Sequence, residues 1–268
     1  MAKSTRGGKA GSSSFTTIPT FAAAAQPAPQ PTPQPVPQPV VQPAPQPVMS
    51  ADYDAFKKMT DDQKADAIMQ ARQTQVPVFL AQNDLQKVLY GLKLNDKPVL
   101  VDDNVLDTMP GKELFRTVNA TSNQQYRMKF TATDIAQQTI RGTVTRVSDT
   151  GGSVHGRGIY FADSYRGSTA YGNRMGNANQ TAVVRVKLSP TAKTISTSAA
   201  ATGVSREIAS GSKLGRALSK IGSTDRTAVW SLAKGYDAMV ASNGYHVVIN
   251  RSALVASKTI NAMGYSWK

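Results

Sequence analysis

The sequence predicts an α+β fold, with a sheet and flanking helices over residues 111–268, a small helical region over 50–110, and a disordered proline-rich arm in front. Three observations predict it. Short apolar or alternating runs, such as 159–162, 182–188 and the pair 236–241 and 245–250, have the period of strands and are bounded by Gly, Asn, Asp or Ser. Between them lie segments of helical period with capping residues. At Ser50 the composition changes abruptly from proline alternation to helix formers.

Residues 1–25 are rich in Gly, Ser, Thr and Ala, carry Lys3, Arg6 and Lys9, and lack the apolar periodicity that offsets ordering entropy, so disorder is expected. From 26 to 48 proline alternates with Gln, Ala, Thr or Val; missing backbone donors and a fixed φ favour polyproline II, a semi-rigid spacer of roughly 70 Å. A spacer implies tethering to a large assembly, or else an inert tail. Beyond it, Thr60-Asp-Asp-Gln63 is a capping box that opens a helix of about twelve residues with Ala65, Ile68, Met69 and Arg72 on one stripe. A second helix is expected after Asn83, with Leu85, Val88, Leu89 and Leu92 at helical spacing and Gly91 near its end. Pro98 starts a short extended stretch over 99–101. These pieces read as a small acidic cap packed on the region from residue 111 onward, since short helices bury little alone.

Residues 114–118 read as a buried strand with Arg116 and Thr117 at its inner edge, and an arginine inside such a strand is costly unless paired with an anion. A helix over 133–140 and a strand over 143–147 come next, then a three-glycine loop over 148–157 that carries His155. The apolar run 159–162 is a short buried strand, with Asp163 or Ser164 as the N-cap of a helix. That helix brings Ser168 toward the strand end and Tyr171 onto the same face, so Tyr160 and Tyr171 wall a slot for a flat ring. Residues 182–188 alternate as a half-buried strand. Residues 198–215 read as a partly mobile excursion that regains helix over 214–221, and Asp225 caps another helix that runs to Lys234 and stops at Gly235. Ser242-Asn243-Gly244 signals the last hairpin.

Charge is uneven across these regions. The chain carries +14 overall, with ten acidic and seven basic residues in 51–110 and twenty-one basic against seven acidic in 111–268. The basic excess fits either a solvated face or attraction to a polyanion, including nucleic acid, though aromatics are not interleaved with the basic residues. There is no cysteine, and His155 and His246 are the only histidines, so no disulfide and no zinc site is expected. No run approaches a membrane span and no secretion signal is read, which leads to the expectation of a cytoplasmic or particle-associated protein without membrane contact.

The stretch Gly156-Arg-Gly158-Ile-Tyr160-Phe161-Ala162, with Ser168 and Tyr171 in register, resembles the nicotinamide-binding motif of the poly-ADP-ribose polymerase-like branch of ADP-ribosyltransferases. The resemblance implies a split-sheet core over 111–268 and NAD as donor, with Gly158 in the binding turn, Tyr160 and Tyr171 sandwiching nicotinamide, and Ser168 bonding its carboxamide. Phe115-Arg116 resembles the arginine motif of the toxin-like branch, which implies that Arg116 grips phosphate or ribose and that the backbone of Thr117 meets the amide. In the family the last strand pair supplies a glutamate that polarises the transition state. Here only Glu113 and Glu207 exist, and Tyr245, His246 or, with a slipped register, Gly244 falls at that position. Tyr245 would hydrogen-bond the ribose, and His246 would serve as general base. The resemblance thus implies mono-ADP-ribosylation of a macromolecular acceptor such as a protein, with no metal. The alternative is a non-enzymatic structural or virion-associated protein, as in phage-borne members, tethered through its arm.

Overall fold

The computed structural model describes residues 51–76, 83–94, 97–119, 121–123, 128–141, 157–175 and 181–262. The expectations for the arm over 1–48, the strand over 143–147, the loop with His155, and Gly156 lie outside them. Three helices come first, α1 (Ala51–Lys58), α2 (Asp61–Arg72) and α3 (Asp84–Gly91), then β1 (Val99–Val101) and α4 (Asp103–Thr108). The capping box forms as expected: Thr60 Oγ1 accepts from Gln63 N at 3.2 Å and Gln63 Oε1 from Thr60 N at 2.9 Å. Asn83 Oδ1 caps α3 by accepting from Gln86 N at 2.8 Å.

The remaining elements are β2 (Lys112–Asn119), the small ribbon β3 (Thr121–Asn123) and β4 (Met128–Phe130), α5 (Ala132–Arg141), β5 (Ile159–Ala162), α6 (Tyr165–Met175), β6 (Thr181–Leu188) and β7 (Thr194–Ser196). After them come α7 (Thr197–Ala209), α8 (Lys213–Ser219), α9 (Ser223–Ala233), β8 (Ala238–Val240), β9 (Tyr245–Val248), β10 (Leu254–Ser257) and β11 (Asn261–Ala262). One mixed sheet runs in the order β1-β10-β6-β2-β5-β9-β8-β7, with β11 also on β6. The outer pairs β1/β10 and β7/β8 are parallel and the inner ones antiparallel.

Pairing is unequal along this sheet. β2 and β6 pair over eight residues and β5 and β9 over four, whereas β2 and β5 meet in one pair, Phe115 with Ala162. The sheet therefore consists of two well-bonded halves joined at a single rung. A core on one side, built from Leu114, Val118, Ile159, Phe161, Val184 and Val186, lies under α5 and spans both halves. On the other side α1–α3 and α7–α9 share a second core with Met239, Val247 and Ile249. Each large side chain buried there contributes about 1.5–3 kcal/mol.

Three expectations are corrected. Residues 197–209 are helical, not irregular: Ser196 caps α7 at Ala199 N, and Gly203 lies so close to α9 that a Cβ would come within 2.3 Å of the Trp230 ring. The small residues that read as loop chemistry are there for close helix packing. Asp225 is not the cap of α9; Gly222 holds that position, and the buried Asp225 carboxylate instead accepts from Asp84 N at 3.3 Å and lies 3.5 Å from Arg157 Nε. β6 is almost wholly buried rather than half-buried, because β2 and β10 flank it and Arg185 is met by Asp103, Asp107 and Glu113.

Candidate active site

In antiparallel strands, paired residues project to the same face and neighbours along a strand to opposite faces. Phe115, Ala162 and Tyr245 therefore form one row across β2, β5 and β9. Two residues along, on that same face, stand Thr117, Tyr160 and Val247. Arg116, Phe161 and His246 belong to the other face. The single rung at Phe115 and Ala162 ends the ladder just before Thr117 and Tyr160 would have paired, so the backbone pairing is open between these two residues.

Helix α6 closes one side of that opening. Ser164 Oγ caps it by accepting from Gly167 N at 3.1 Å, which settles the choice between Asp163 and Ser164. Ring contact between Tyr165 and Phe115, edge-to-face at 5.9 Å, seats the first turn on β2. Ser168, one turn further, is 3% exposed, and its Oγ lies 2.9 Å from Thr117 Oγ1. Of two mutually bonded hydroxyls, one keeps a hydrogen to donate and both keep lone pairs, so the pair can meet a planar amide. Tyr160 is half-buried and packs against the helical core. Tyr171 lies within α6, three residues after Ser168; its side chain is outside the described residues.

Arg116 is buried, and its Nη1 donates to the Tyr160 carbonyl at 3.2 Å. The guanidinium thus spans the opening from the far face and satisfies a carbonyl near the place where the β2–β5 ladder stops. The expectation that Arg116 and Thr117 share the inner edge of the strand is corrected: as consecutive residues of β2 they face opposite sides of it. Gly158 has φ +149°, and a Cβ there would lie 2.6 Å from Val247 Cγ1 and 2.9 Å from the Val248 carbonyl. Glycine is required for the close approach of β5 to β9.

The same division separates the two candidates on β9. Tyr245, half-buried, begins β9 on the face of Tyr160 and the hydroxyl pair. His246 is buried on the opposite face, with Nδ1 3.3 Å from the Gly244 carbonyl. Its pKa is lowered, mainly by burial and further by Lys112, against the opposing pull of Asp163. Lys112 and Asp163, 3.6 Å apart, are neighbours that sequence alone does not connect with His246, since nothing in their spacing marks them. Gly244 faces Asp163 and has φ +84°, so its position demands a turn glycine. Asp237, the carboxylate just before β8, is engaged away from this face. It accepts from Lys57 Nζ at 3.0 Å, Lys193 N at 2.8 Å and Asn250 Nδ2 at 2.8 Å.

Among the described residues no three His, Asp or Glu side chains converge as a metal would require, and no helix is long and apolar enough to cross a membrane. No protein-family profile, no curated protein and no solved structure matches this chain.

Proposed function

We propose that the chain is a mono-ADP-ribosyltransferase with a split-sheet core of the ADP-ribosyltransferase type, which binds NAD at the opening between β2 and β5. The observation that carries this reading is the convergence of Tyr160, Thr117, Ser168 and Tyr245 on one face where the sheet's pairing stops. Tyr160, with Tyr171 from α6, stacks on the nicotinamide ring, and the Ser168–Thr117 hydroxyls bond its carboxamide. Arg116, on the opposite face of β2, holds the Tyr160 carbonyl where the ladder stops, so its part in this reading is to steady β5 at the site. The bond from ribose C1′ to the nicotinamide nitrogen breaks, nicotinamide leaves with the electron pair, and a nucleophile of a macromolecular acceptor, such as a protein, bonds to C1′. Tyr245 is the residue of β9 placed to hydrogen-bond the ribose; His246 acts from the other face as part of the fold.

One observation favours a second reading. A tyrosine where a carboxylate would stabilise the cationic transition state lowers turnover more than binding, which suits a non-enzymatic, virion-associated protein that keeps the pocket and is tethered through its arm. Labelled NAD incubated with the protein and a cell lysate separates the two. Transferase activity gives labelled macromolecules and free nicotinamide, both reduced roughly 2- to 13-fold in Ser168→Ala. That variant removes one hydrogen bond of about 0.5–1.5 kcal/mol and leaves the fold intact. NAD binding without nicotinamide release supports the second reading, and no NAD binding by folded protein rejects both.

A further inference from the structure

Residues 197–235, which build α7–α9, carry six basic side chains and two acidic ones. Two of the bases face the acidic helical region or Glu207: Lys213 Nζ lies 2.6 Å from Asp66, and Lys234 Nζ lies 2.6 Å from Asp61 and 2.9 Å from Glu207. Asp225 is buried, so neither acid of this region is left to balance the outer surface. Arg206, Arg216, Lys220 and Arg226 remain, and no described carboxylate is ion-paired with any of them. Three of the four gather at the end of α8. Arg216 and Lys220 are both exposed and stand four residues apart, hence on one side of the helix. Arg226 reaches back from α9 to the same end, where its Nε donates to the Ile221 carbonyl at 2.9 Å and its Nη2 to the Ser219 carbonyl at 3.0 Å. Arg216 Nη1 donates to the Gly211 carbonyl. Backbone carbonyls thus fix both guanidinium groups, and each keeps further N–H groups to donate, because the fork carries five.

From this arrangement we infer that the end of α8 and the turn into α9 dock on the phosphate backbone of double-stranded nucleic acid. Guanidinium forks suit phosphate oxygens, and forks already held by the protein lose little freedom on binding. No carboxylate has to be displaced for an anion to approach. The exposed hydroxyl residues Ser219, Ser223 and Thr224 lie among the three bases and add neutral donors for phosphate oxygens. Single strands are held by exposed aromatic platforms, and the one aromatic of this region, Trp230, is 8% exposed. The contact is therefore with the backbone of a duplex and reads no sequence. The net charge of +14 draws such a polyanion from a distance. No residue of β2, β5, β9 or α6 takes part, so the surface does not depend on NAD chemistry.

The test is fluorescence anisotropy of a short labelled DNA duplex titrated with the full chain at several salt concentrations. Each phosphate contact adds about 0.9 to the slope of log affinity against log salt, so Arg216→Gln, Lys220→Gln and Arg226→Gln together should make the slope shallower by about 2.7. Reading the difference between wild type and variant removes contributions from the rest of the chain. Lys220→Gln alone should make it shallower by about 0.9 and weaken binding in low salt about tenfold. The Lys220 side chain makes no bond within the protein, so this variant carries the test even if the arginine changes unseat α8. Lys58→Gln, an exposed lysine of α1, should leave affinity unchanged, and so should Ser168→Ala. The inference is overturned if the duplex does not bind in low salt, if Lys220→Gln binds with the wild-type slope, or if Lys58→Gln costs as much as Lys220→Gln. Equally tight binding of polyglutamate or of a single strand of the same charge also overturns it, since the surface would then answer to charge alone.

Discussion

Arg116→Met tests whether the guanidinium is a strut across the opening in the sheet. The wild-type side chain is 8% exposed and donates to the Tyr160 carbonyl at 3.2 Å. Methionine fills similar space but cannot donate. A hydrogen bond from a charged donor contributes about 1.5–3 kcal/mol, which for a domain of this size is a midpoint shift of roughly 3–12 °C. A second effect opposes the loss, because burying a guanidinium costs desolvation that methionine does not. The sign of the shift therefore decides which dominates. We expect a lower midpoint by calorimetry and faster amide exchange in β5, whose pairing with β2 is limited to one rung. An unchanged or raised midpoint would refute the strut, and would mean that the chain retains a costly arginine for what it binds. Loss of activity in an Arg116 variant is accordingly not by itself evidence of catalysis, whereas Ser168→Ala isolates the ligand contact.

Three further outcomes are expected. Asp237→Ala strands Lys57 Nζ, Lys193 N and Asn250 Nδ2 at a site 1% exposed, and should cost about 3–5 kcal/mol in urea denaturation; a change below about 1 kcal/mol would show that the network carries no weight. His246 has a folded pKa below 6.5, so the unfolded chain binds more protons and stability is lost as pH falls below about 6.5; His246→Gln should flatten that acid limb, and an unaltered slope would exclude His246 as its source. Tyr245→Glu introduces a carboxylate on the face of the hydroxyl pair and should raise nicotinamide release on the order of 10²-fold; the same change at His246, on the opposite face, should not.

The sequence showed most elements and least of how they share space. The helix starts at Thr60 and Asn83 were legible because capping is local chemistry, and β5 and the closing hairpin because period and turn residues agree. α7 was not legible, since Gly203 and its small neighbours serve contact with Trp230 on a helix about twenty residues further along the chain. The burial of β6 was hidden for a similar reason: Arg185 looks like a solvent-facing residue until three carboxylates from α4 and β2 surround it. At the site, the spacing placed Ser168 on a helix after β5, but its hydroxyl bonds Thr117 of β2, fifty-one residues away, which no local pattern marks. Tyr245 and His246 could not be told apart by spacing, because the choice rests on which face β9 turns to β5.

The single rung between β2 and β5 has a consequence for affinity. Polar groups left open where a ladder stops must be satisfied, and here Arg116 and the Thr117–Ser168 pair are the groups at the opening, already bonded within the protein. A ligand amide entering there exchanges one set of bonds for another, so hydrogen bonding gives orientation more than net affinity. Stacking must then supply much of the binding energy, and that depends on a fixed ring. Tyr160 is fixed because it packs against the core shared by α1–α3 and α7–α9. Helices α1–α3 therefore contribute to holding Tyr160: a cavity cut at Ile68 or Val88, both fully buried in that core, should loosen Tyr160 and weaken ring binding while the hydroxyl pair on α6 and β2 stays in place.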